Sequence, residues 1–356
     1  MNDLGDARLP VTLATVNGEK NGLPLVVTPG TARNVAELSD WLRSEPAWHK
    51  QQLLNHGALL FRGFGVSTPQ EFEKLARALD PELKNEYLGT SPRDSLTEYV
   101  FSASELPDYY PIPEHCEMTF TAHPPRRIFF WCGVAPASPG GETPLVDFAR
   151  VWNELDPQVR GRFERNGIRI VRNYAGPDDT RRDLLQLKRW DQMFRTTDKS
   201  KVETMARAEG FEPQWHEHGR LSLISRHPPA RSHPETGQPI WFNHAQVFHL
   251  STASAELKRI FRYRPSLRAL GFWTFAAALV GWKRLTVASD AQAMHCTYES
   301  GDEIPRADME HLRDVIWNNL VVYAWRQGDV AAIDNNRVGH GRLPYRGKRM
   351  VAVCWA

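Results

Sequence analysis

The stretch Ile112-Pro113-Glu114-His115-Cys116-Glu117-Met118-Thr119-Phe120 sets an imidazole and a carboxylate two residues apart, just ahead of a segment rich in strand formers. In a strand, residues i and i+2 point to the same face. The spacing therefore predicts that His115 and Glu117 present one nitrogen and one oxygen ligand side by side. A third ligand would complete a two-histidine, one-carboxylate triad. That donor set suits ferrous iron and leaves positions open for oxygen and a co-substrate. A lone His-x-Glu pair also arises on ordinary surfaces, so the reading turns on what the rest of the chain supplies.

The third candidate is His340, in Asp334-Asn335-Asn336-Arg337-Val338-Gly339-His340-Gly341-Arg342. It follows a strand ending at Asp334 and a tight turn at Asn335-Asn336. A ligand at a strand end, backed by the next strand, is held rigidly. Arg349 opens a last strand running to Val353. Its planar guanidinium can grip a carboxylate through two parallel hydrogen bonds. A 2-oxo acid that chelates iron through its keto group and first carboxylate needs its far carboxylate held in this way. Thr143 can add a hydroxyl to that carboxylate, and Arg342 and Arg346 are rivals for the grip.

Helices are expected over Val35 to Glu45 and from Pro46 to about Leu54. Ala58 to Phe64 reads as a near-continuous apolar strand of the kind buried on both faces. Thr68-Pro69-Gln70-Glu71 is a capping box with proline at the first helical position, opening a helix to about Leu79. Further strands are expected near Tyr99 to Phe101 and over Arg127 to Cys132, Ile168 to Asn173, Ile240 to Asn243, His295 to Tyr298 and Leu320 to Trp325. Asp147 to Arg165 reads as mainly helical, as does Pro305 to about Trp317. Ala253 to about Leu285 reads as a long helical region broken near Pro265. Residues 1–24 look irregular. Residues 175–238 are polar, basic and aromatic, with short helices at Arg181 to Lys188 and Val202 to Glu209. Helices first, then β-rich blocks with helical insertions, predict an α+β protein around a mainly antiparallel sandwich. All 356 residues are expected to form one domain.

Composition excludes several classes. Hydrophobic content of 41%, charged content of 24% and a net charge of +2 give no charge excess for nucleic acid or an anionic membrane. The four cysteines form no Cys-x-x-Cys pair, which disfavours a zinc ribbon or thioredoxin-like site and suggests free thiols in a reducing compartment. The acidic start, Met1 to Asp6, lacks a signal-peptide pattern, and cytoplasm is the expected location. The most apolar run, Ala269 to Trp282, is about fourteen residues, short of the roughly 20 that span a bilayer. It predicts a buried or partner-facing helix.

The order His-x-Glu, Gly-Gly-Glu-Thr at 140–143, Gly-Asp, Asp-Asn and His-Gly-Arg-x-Pro-Tyr-x-Gly-x-Arg at 340–349 resembles a known family. It is similar to the TauD/TfdA-like branch of the Fe(II)/2-oxoglutarate-dependent dioxygenases, nearest its SyrP-like and clavaminate-synthase-like members. The resemblance runs from about residue 57 onward. It implies a jelly-roll double-stranded β-helix core with flanking helices, and a large helical and loop insertion over roughly 175–290 that serves as a lid. It implies Fe(II) on His115, Glu117 and His340, with 2-oxoglutarate held by Arg349 and Thr143, Arg342 nearby, and O2 as oxidant. The expected reaction hydroxylates, desaturates or cyclises an unactivated C–H bond, releasing succinate and CO2. The expected substrate is a small amino-acid-derived or natural-product intermediate, free or tethered to a carrier protein.

Glu117 argues against halogenation, because radical halogenases lack this carboxylate so that halide can reach the metal. Cys116 departs from the family's usual His-Asn-Glu, and its side chain is expected to point away from the metal. Tyr87, Asn243, His244 and Phe248 are candidate substrate contacts. Tyr87 and Arg93 can each contact substrate or brace a loop, with bracing favoured for Arg93, and Asn243, His244 and His249 can line the pocket or equally satisfy backbone groups. His216-Glu217-His218 reads as a solvated face. No nucleic-acid or membrane partner is expected, and self-association is open. The rival readings are a sulfonate or aryloxy-acid dioxygenase, a non-catalytic jelly-roll binding protein, and a zinc hydrolase with the same triad.

Overall fold

The computed structural model describes residues 9–16, 22–86, 93–103, 106–137, 139–179, 189–288 and 291–356. The expectations for Met1 to Asp6, for Tyr87 and for a helix at Arg181 to Lys188 lie outside the described residues.

A seven-stranded sheet runs in the order Val11–Thr15, Leu25–Pro29, Ala58–Phe61, Val330–Asp334, Arg127–Val134, Met350–Trp355 and Phe101–Ser102. One neighbouring pair, Leu25–Pro29 with Ala58–Phe61, is parallel; the others are antiparallel. The central strands are buried on both faces, which is why they read as apolar runs rather than alternations. Ala58, Leu60, Ile128, Phe130 and Cys132 face one hydrophobic core. Leu59, Phe61, Phe129 and Trp131 face a second core on the opposite side, with Leu38, Leu42, Phe72 and Leu75 of two helices. The helix Pro69–Leu79 starts with the capping box expected of Thr68 and Glu71.

A three-stranded antiparallel sheet lies against the first core, with Val338–Arg342 between Ile112–His115 and Leu145–Asp147. Gly341 is required there. A Cβ would come within 2.5 Å of the Ile112 carbonyl oxygen and 2.7 Å of a Glu114 carboxylate oxygen.

Several expectations need correction. Val11–Thr15 is a strand within the stretch read as irregular. Only Val11 of it is buried, so the edge strand carries no hydrophobic alternation. The helix expected from Asp147 is two, Phe148–Glu154 and Pro157–Asn166, separated where Asp156 caps a new start at Pro157. Leu320 to Trp325 forms no strand beyond a single bridge from Val321 to Leu145. Its alternation reflects buried Val321, Tyr323 and Trp325 on an extended segment without a continuous ladder.

The 175–290 insertion is not merely helix and loop. Glu212–Trp215 and Leu221–His227 join Ile168–Tyr174 and Met294–Thr297 in a four-stranded antiparallel sheet. The helix Leu267–Thr286, expected to be buried or partner-facing, buries only Ala269, Ala276 and Lys283. Leu267 and Leu285 are each 89% exposed, and only Ala269 of this helix joins a small hydrophobic cluster, with Ile260 and Leu343. Among the described residues no helix is long and apolar enough to cross a membrane.

Candidate metal centre

His340 pairs directly across the three-stranded sheet with His115, and their ring centres lie 4.7 Å apart. Ligand atoms of His115, Glu117 and His340 all lie within 4.8 Å of one another, with His340 Nε2 3.8 Å from Glu117 Oε2. The route to this geometry differs from the expected one. The strand ends at His115, and Met118 takes a φ of 54°, so a pleat does not carry Glu117 to the face of His115. Fully buried Asn335 does so. Its Oδ1 accepts from the Glu117 N–H at 2.6 Å, and its Nδ2 donates to the Glu117 carbonyl at 3.1 Å and to the Pro125 carbonyl at 2.7 Å. This residue was legible in the sequence only as half of a turn. Cys116 faces the hydrophobic core, and burial raises its thiol pKa well above the ordinary range.

The ring nitrogens are set for ligation. His115 Nδ1 lies 2.8 Å from the Pro113 carbonyl, so Nδ1 carries the proton and Nε2 keeps its lone pair. Burial, helped by the neighbouring His115 ring and Arg93 guanidinium, drives the His340 pKa well below its ordinary value, which keeps that ring neutral. Two neutral imidazoles and one carboxylate are a donor set that fits a divalent ion such as iron(II).

Asn335→Ala should reduce both stability and metal affinity. It strands three buried backbone groups, each at a cost of about 1–3 kcal/mol, and it frees Glu117 to move. Loss of such a supporting contact typically weakens metal binding by about 10–100-fold. Calorimetric metal titration and thermal unfolding would measure the two effects, and unchanged metal affinity would contradict the positioning role.

The triad opens into a cavity of about 140 Å³ whose walls include Tyr110, Phe120, Phe130, His244 and Phe248. Thr143, Arg342 and Arg349 line it as well. Arg349 Nε donates to the Gly141 carbonyl at 2.7 Å, and its Nη2 lies 3.4 Å from Thr143 Oγ1. Trp325 Nε1 donates to the same hydroxyl at 3.1 Å. Gly141 has a φ of 69°, and a Cβ there would press on Arg349 Cδ at 2.8 Å. Burial, with Arg342 nearby, pushes the Arg349 pKa down to about 10, so the guanidinium stays charged at neutral pH. Arg346 is exposed.

A family model described as "Taurine catabolism dioxygenase TauD, TfdA family" matches residues 23–355. The chain belongs to the TauD/TfdA family. It is an enzyme, a dioxygenase. Among its relatives is the dapdiamide synthesis protein DdaC of Enterobacter agglomerans, 28% identical over 94% of this chain and 91% of that protein. A clavaminate synthase-like protein of Arabidopsis thaliana is 27% identical over 94% of this chain and 93% of its own. Among solved structures, PvcB, an Fe, alpha-ketoglutarate dependent oxygenase from an isonitrile synthetic pathway, superposes with a TM-score of 0.53 at 16% identity. The match covers 99% of this chain and 93% of that one, and shows a shared fold.

The other expected contacts divide within this TauD/TfdA site. His244 and Phe248 are in the cavity wall, and His244 Nδ1 meets Thr119 Oγ1 at 2.5 Å. Asn243 is a correction: it is not among the lining residues. Its amide donates to the Pro229 carbonyl and its Oδ1 accepts from the Ala245 N–H, which fixes the turn ahead of a short helix. Arg342 lines the cavity, but its Nη atoms donate to the carbonyls of Leu106, Pro107 and Tyr110, which makes it a brace for that loop. Arg93, read as a substrate contact or a loop brace, donates from Nη2 to Glu117 Oε2 at 2.9 Å. Nothing in the spacing of Arg93 announces that contact.

His249, His295 and Glu303 form a second cluster of the same composition. Its protons are placed differently. The Leu250 N–H donates to His295 Nδ1, and the Ser251 N–H donates to His249 Nδ1. Both rings therefore carry the proton on Nε2, and His295 gives it to Glu303 at 3.0 Å. A metal would have to displace those protons, so the TauD/TfdA centre is the better cation site. His216, Glu217 and His218 are exposed.

Proposed function

We propose that this TauD/TfdA enzyme is an Fe(II)/2-oxoglutarate-dependent oxygenase that oxidises an unactivated C–H bond of a small molecule, on a jelly-roll double-stranded β-helix formed by its seven- and three-stranded sheets. The observation that carries the reading is the convergence of His115, Glu117 and His340 in the wall of a cavity that Arg349 and Thr143 also line. His115, Glu117 and His340 would hold the metal, two imidazole nitrogens and one carboxylate suiting iron(II). Arg349 and Thr143 grip the distal carboxylate of 2-oxoglutarate. When bound, iron(II), 2-oxoglutarate and O2 together supply the oxidising power that removes hydrogen from the substrate, with release of succinate and CO2.

The protein's own contribution is placement. Phe120, Phe130 and Phe248 exclude water, and His244 stands 5.1 Å from His115, ring centre to ring centre. The insertion over 175–290 acts as a lid. The relatedness to DdaC, named for dapdiamide synthesis, supports an amino-acid-derived or natural-product intermediate as substrate, free or carrier-tethered. Glu117 favours hydroxylation, desaturation or cyclisation over halogenation. The expected location is the cytoplasm.

Adding Fe(II) and 2-oxoglutarate to the protein without oxygen should produce a visible absorption band that neither gives alone, and admitting oxygen should then yield succinate. Failure of the two to bind together would favour a non-catalytic binding role.

A further inference from the structure

The middle of the helix Leu267–Thr286, from Ala269 to Trp282, carries no charged residue on any side, yet the rest of the chain covers only one side of it. Ala269, Ala276 and Lys283 are buried on that inner side, and Trp273 stacks on Phe261 and Phe272 on Tyr109. A helix that is apolar all round is ordinarily a buried one. Here Phe275 is 64% and Trp282 57% exposed, and Leu267 and Leu285 are nearly bare. At 3.6 residues per turn these four fall within about a quarter of the helix circumference, opposite the buried side. An aromatic side chain carries about 150–250 Å², so the four together present on the order of 600 Å² of apolar surface. That is at the upper end of what a monomer leaves to water, and it approaches the roughly 800 Å² that each partner buries in a specific complex.

Gly271, Phe275, Ala278, Trp282 and Leu285 follow one another on this face at alternating steps of four and three residues, the spacing of a coiled-coil seam. Small and large side chains are ordered along it so that the seam fits a copy of itself running the other way. The pairs Gly271 with Trp282 and Phe275 with Ala278 share one midpoint, between Ala276 and Ala277. A two-fold axis through that point sets each aromatic ring of one copy against a small residue of the other, and brings Leu285 beside Leu267. A parallel pair would instead set Trp282 on Trp282 and Gly271 on Gly271, a crowded layer beside an empty one. The glycines agree. A Cβ at Gly271 or Gly281 would meet nothing within 4 Å, and neither residue takes a positive φ. Their own chain thus gives no reason for a residue that weakens a helix interior. A second helix lying close against them does.

We propose that this face is a dimer interface, in which the helix Leu267–Thr286 packs antiparallel on the same helix of a second copy of the chain. The occupant is a second copy rather than another protein because the match of large to small lies wholly within the one sequence. The inference does not depend on the oxygenase reading above.

Sedimentation velocity of the full chain from about 1 to 100 μM should show monomer passing to dimer, since an interface at the small end of the specific range associates weakly. Phe275→Glu should raise the dimer dissociation constant about 100-fold or more, because each dimer would bury two unpaired carboxylates. Gly271→Leu places a good helix former in open space on the monomer, so the melting temperature of the dilute protein should not fall. It should nonetheless raise the dissociation constant about tenfold or more, because Trp282 of the other copy loses its place. A spin label on Thr286→Cys reads the direction of the pair, all four native cysteines being buried. The labels of the two copies should lie about 30 Å apart, against about 10 Å in a parallel pair. A wild type that stays monomeric throughout that range, a dimer that Phe275→Glu leaves intact, one that tolerates Gly271→Leu, or labels at the shorter distance would each overturn the proposal. A monomeric wild type that sediments with phosphatidylcholine and phosphatidylglycerol vesicles, and ceases to in Phe275→Glu, would give the face to a membrane instead.

Discussion

Glu117→Ala is expected to lose metal binding and 2-oxoglutarate-dependent succinate formation together, and His115→Ala and His340→Ala are expected to follow it. The three side chains converge within 4.8 Å, and no fourth side chain joins their cluster among the described residues. Removing one leaves two donors, too few to hold a divalent ion against water. Loss of residues that merely support ligands costs about 10–100-fold in affinity, so loss of a ligand should exceed about 100-fold. Glu117→Ala has a second consequence. It takes from the Arg93 guanidinium the carboxylate that accepts its hydrogen bond, and losing a buried charge-assisted hydrogen bond is destabilising. His115→Ala carries no such penalty. A Glu117→Ala protein with a lower melting temperature, beside a His115→Ala protein near wild type, would separate the two effects. Metal titration and succinate assays read the first. Full turnover by either variant would remove the assignment of the centre.

Arg349→Ala is expected to leave Fe(II) binding nearly intact and to raise the 2-oxoglutarate requirement by about 100-fold, the scale seen when one partner of a buried, hydrogen-bonded charge pair is truncated. The geometry behind this is specific. Gly141 lets the Arg349 side chain lie close, its carbonyl accepts from Nε, and Thr143 stands beside Nη2. Burial has lowered the Arg349 pKa to about 10, which means the charge is kept in place at some energetic expense. Thermal stability of the metal-free Arg349→Ala protein should therefore fall little. The split between Fe(II) affinity and 2-oxoglutarate affinity, measured by titrating each, is the informative result. An unchanged 2-oxoglutarate requirement would move the grip elsewhere. Arg342 is tied to three loop carbonyls and Arg346 is exposed, so both are poorer candidates.

Much of the molecule was legible in one dimension because the determining interactions are local. The capping box at Thr68 needs only four residues. The apolar runs Ala58–Phe61 and Arg127–Val134 announce strands covered on both faces, and each alternates its side chains between the two cores. The order of His-x-Glu, Gly-Gly-Glu-Thr and His-Gly-Arg-x-Pro was enough to recognise the family, and the match over residues 23–355 agrees. Val11–Thr15 escaped because an exposed edge strand leaves no hydrophobic pattern. Glu212–Trp215 and Leu221–His227 escaped because polar, half-exposed strands look like loop.

Sequence by itself determined which residue types were available for a metal, and the broad α+β class. Tertiary structure decided how they meet. Strand periodicity predicted that His115 and Glu117 would share a face, yet the strand stops at His115 and Asn335, 218 residues away, holds Glu117 in place. Register across an antiparallel sheet set His340 opposite His115. Two clusters share the composition of two histidines and one glutamate. What separates them is whether the backbone at Nδ1 offers a carbonyl, as Pro113 does, or an N–H, as Leu250 and Ser251 do. That choice fixes where each imidazole proton sits. Pro113 and Ser251 lie only two residues from the rings they meet, so what decides is the local backbone conformation that the fold imposes, and residue identity and spacing do not encode it.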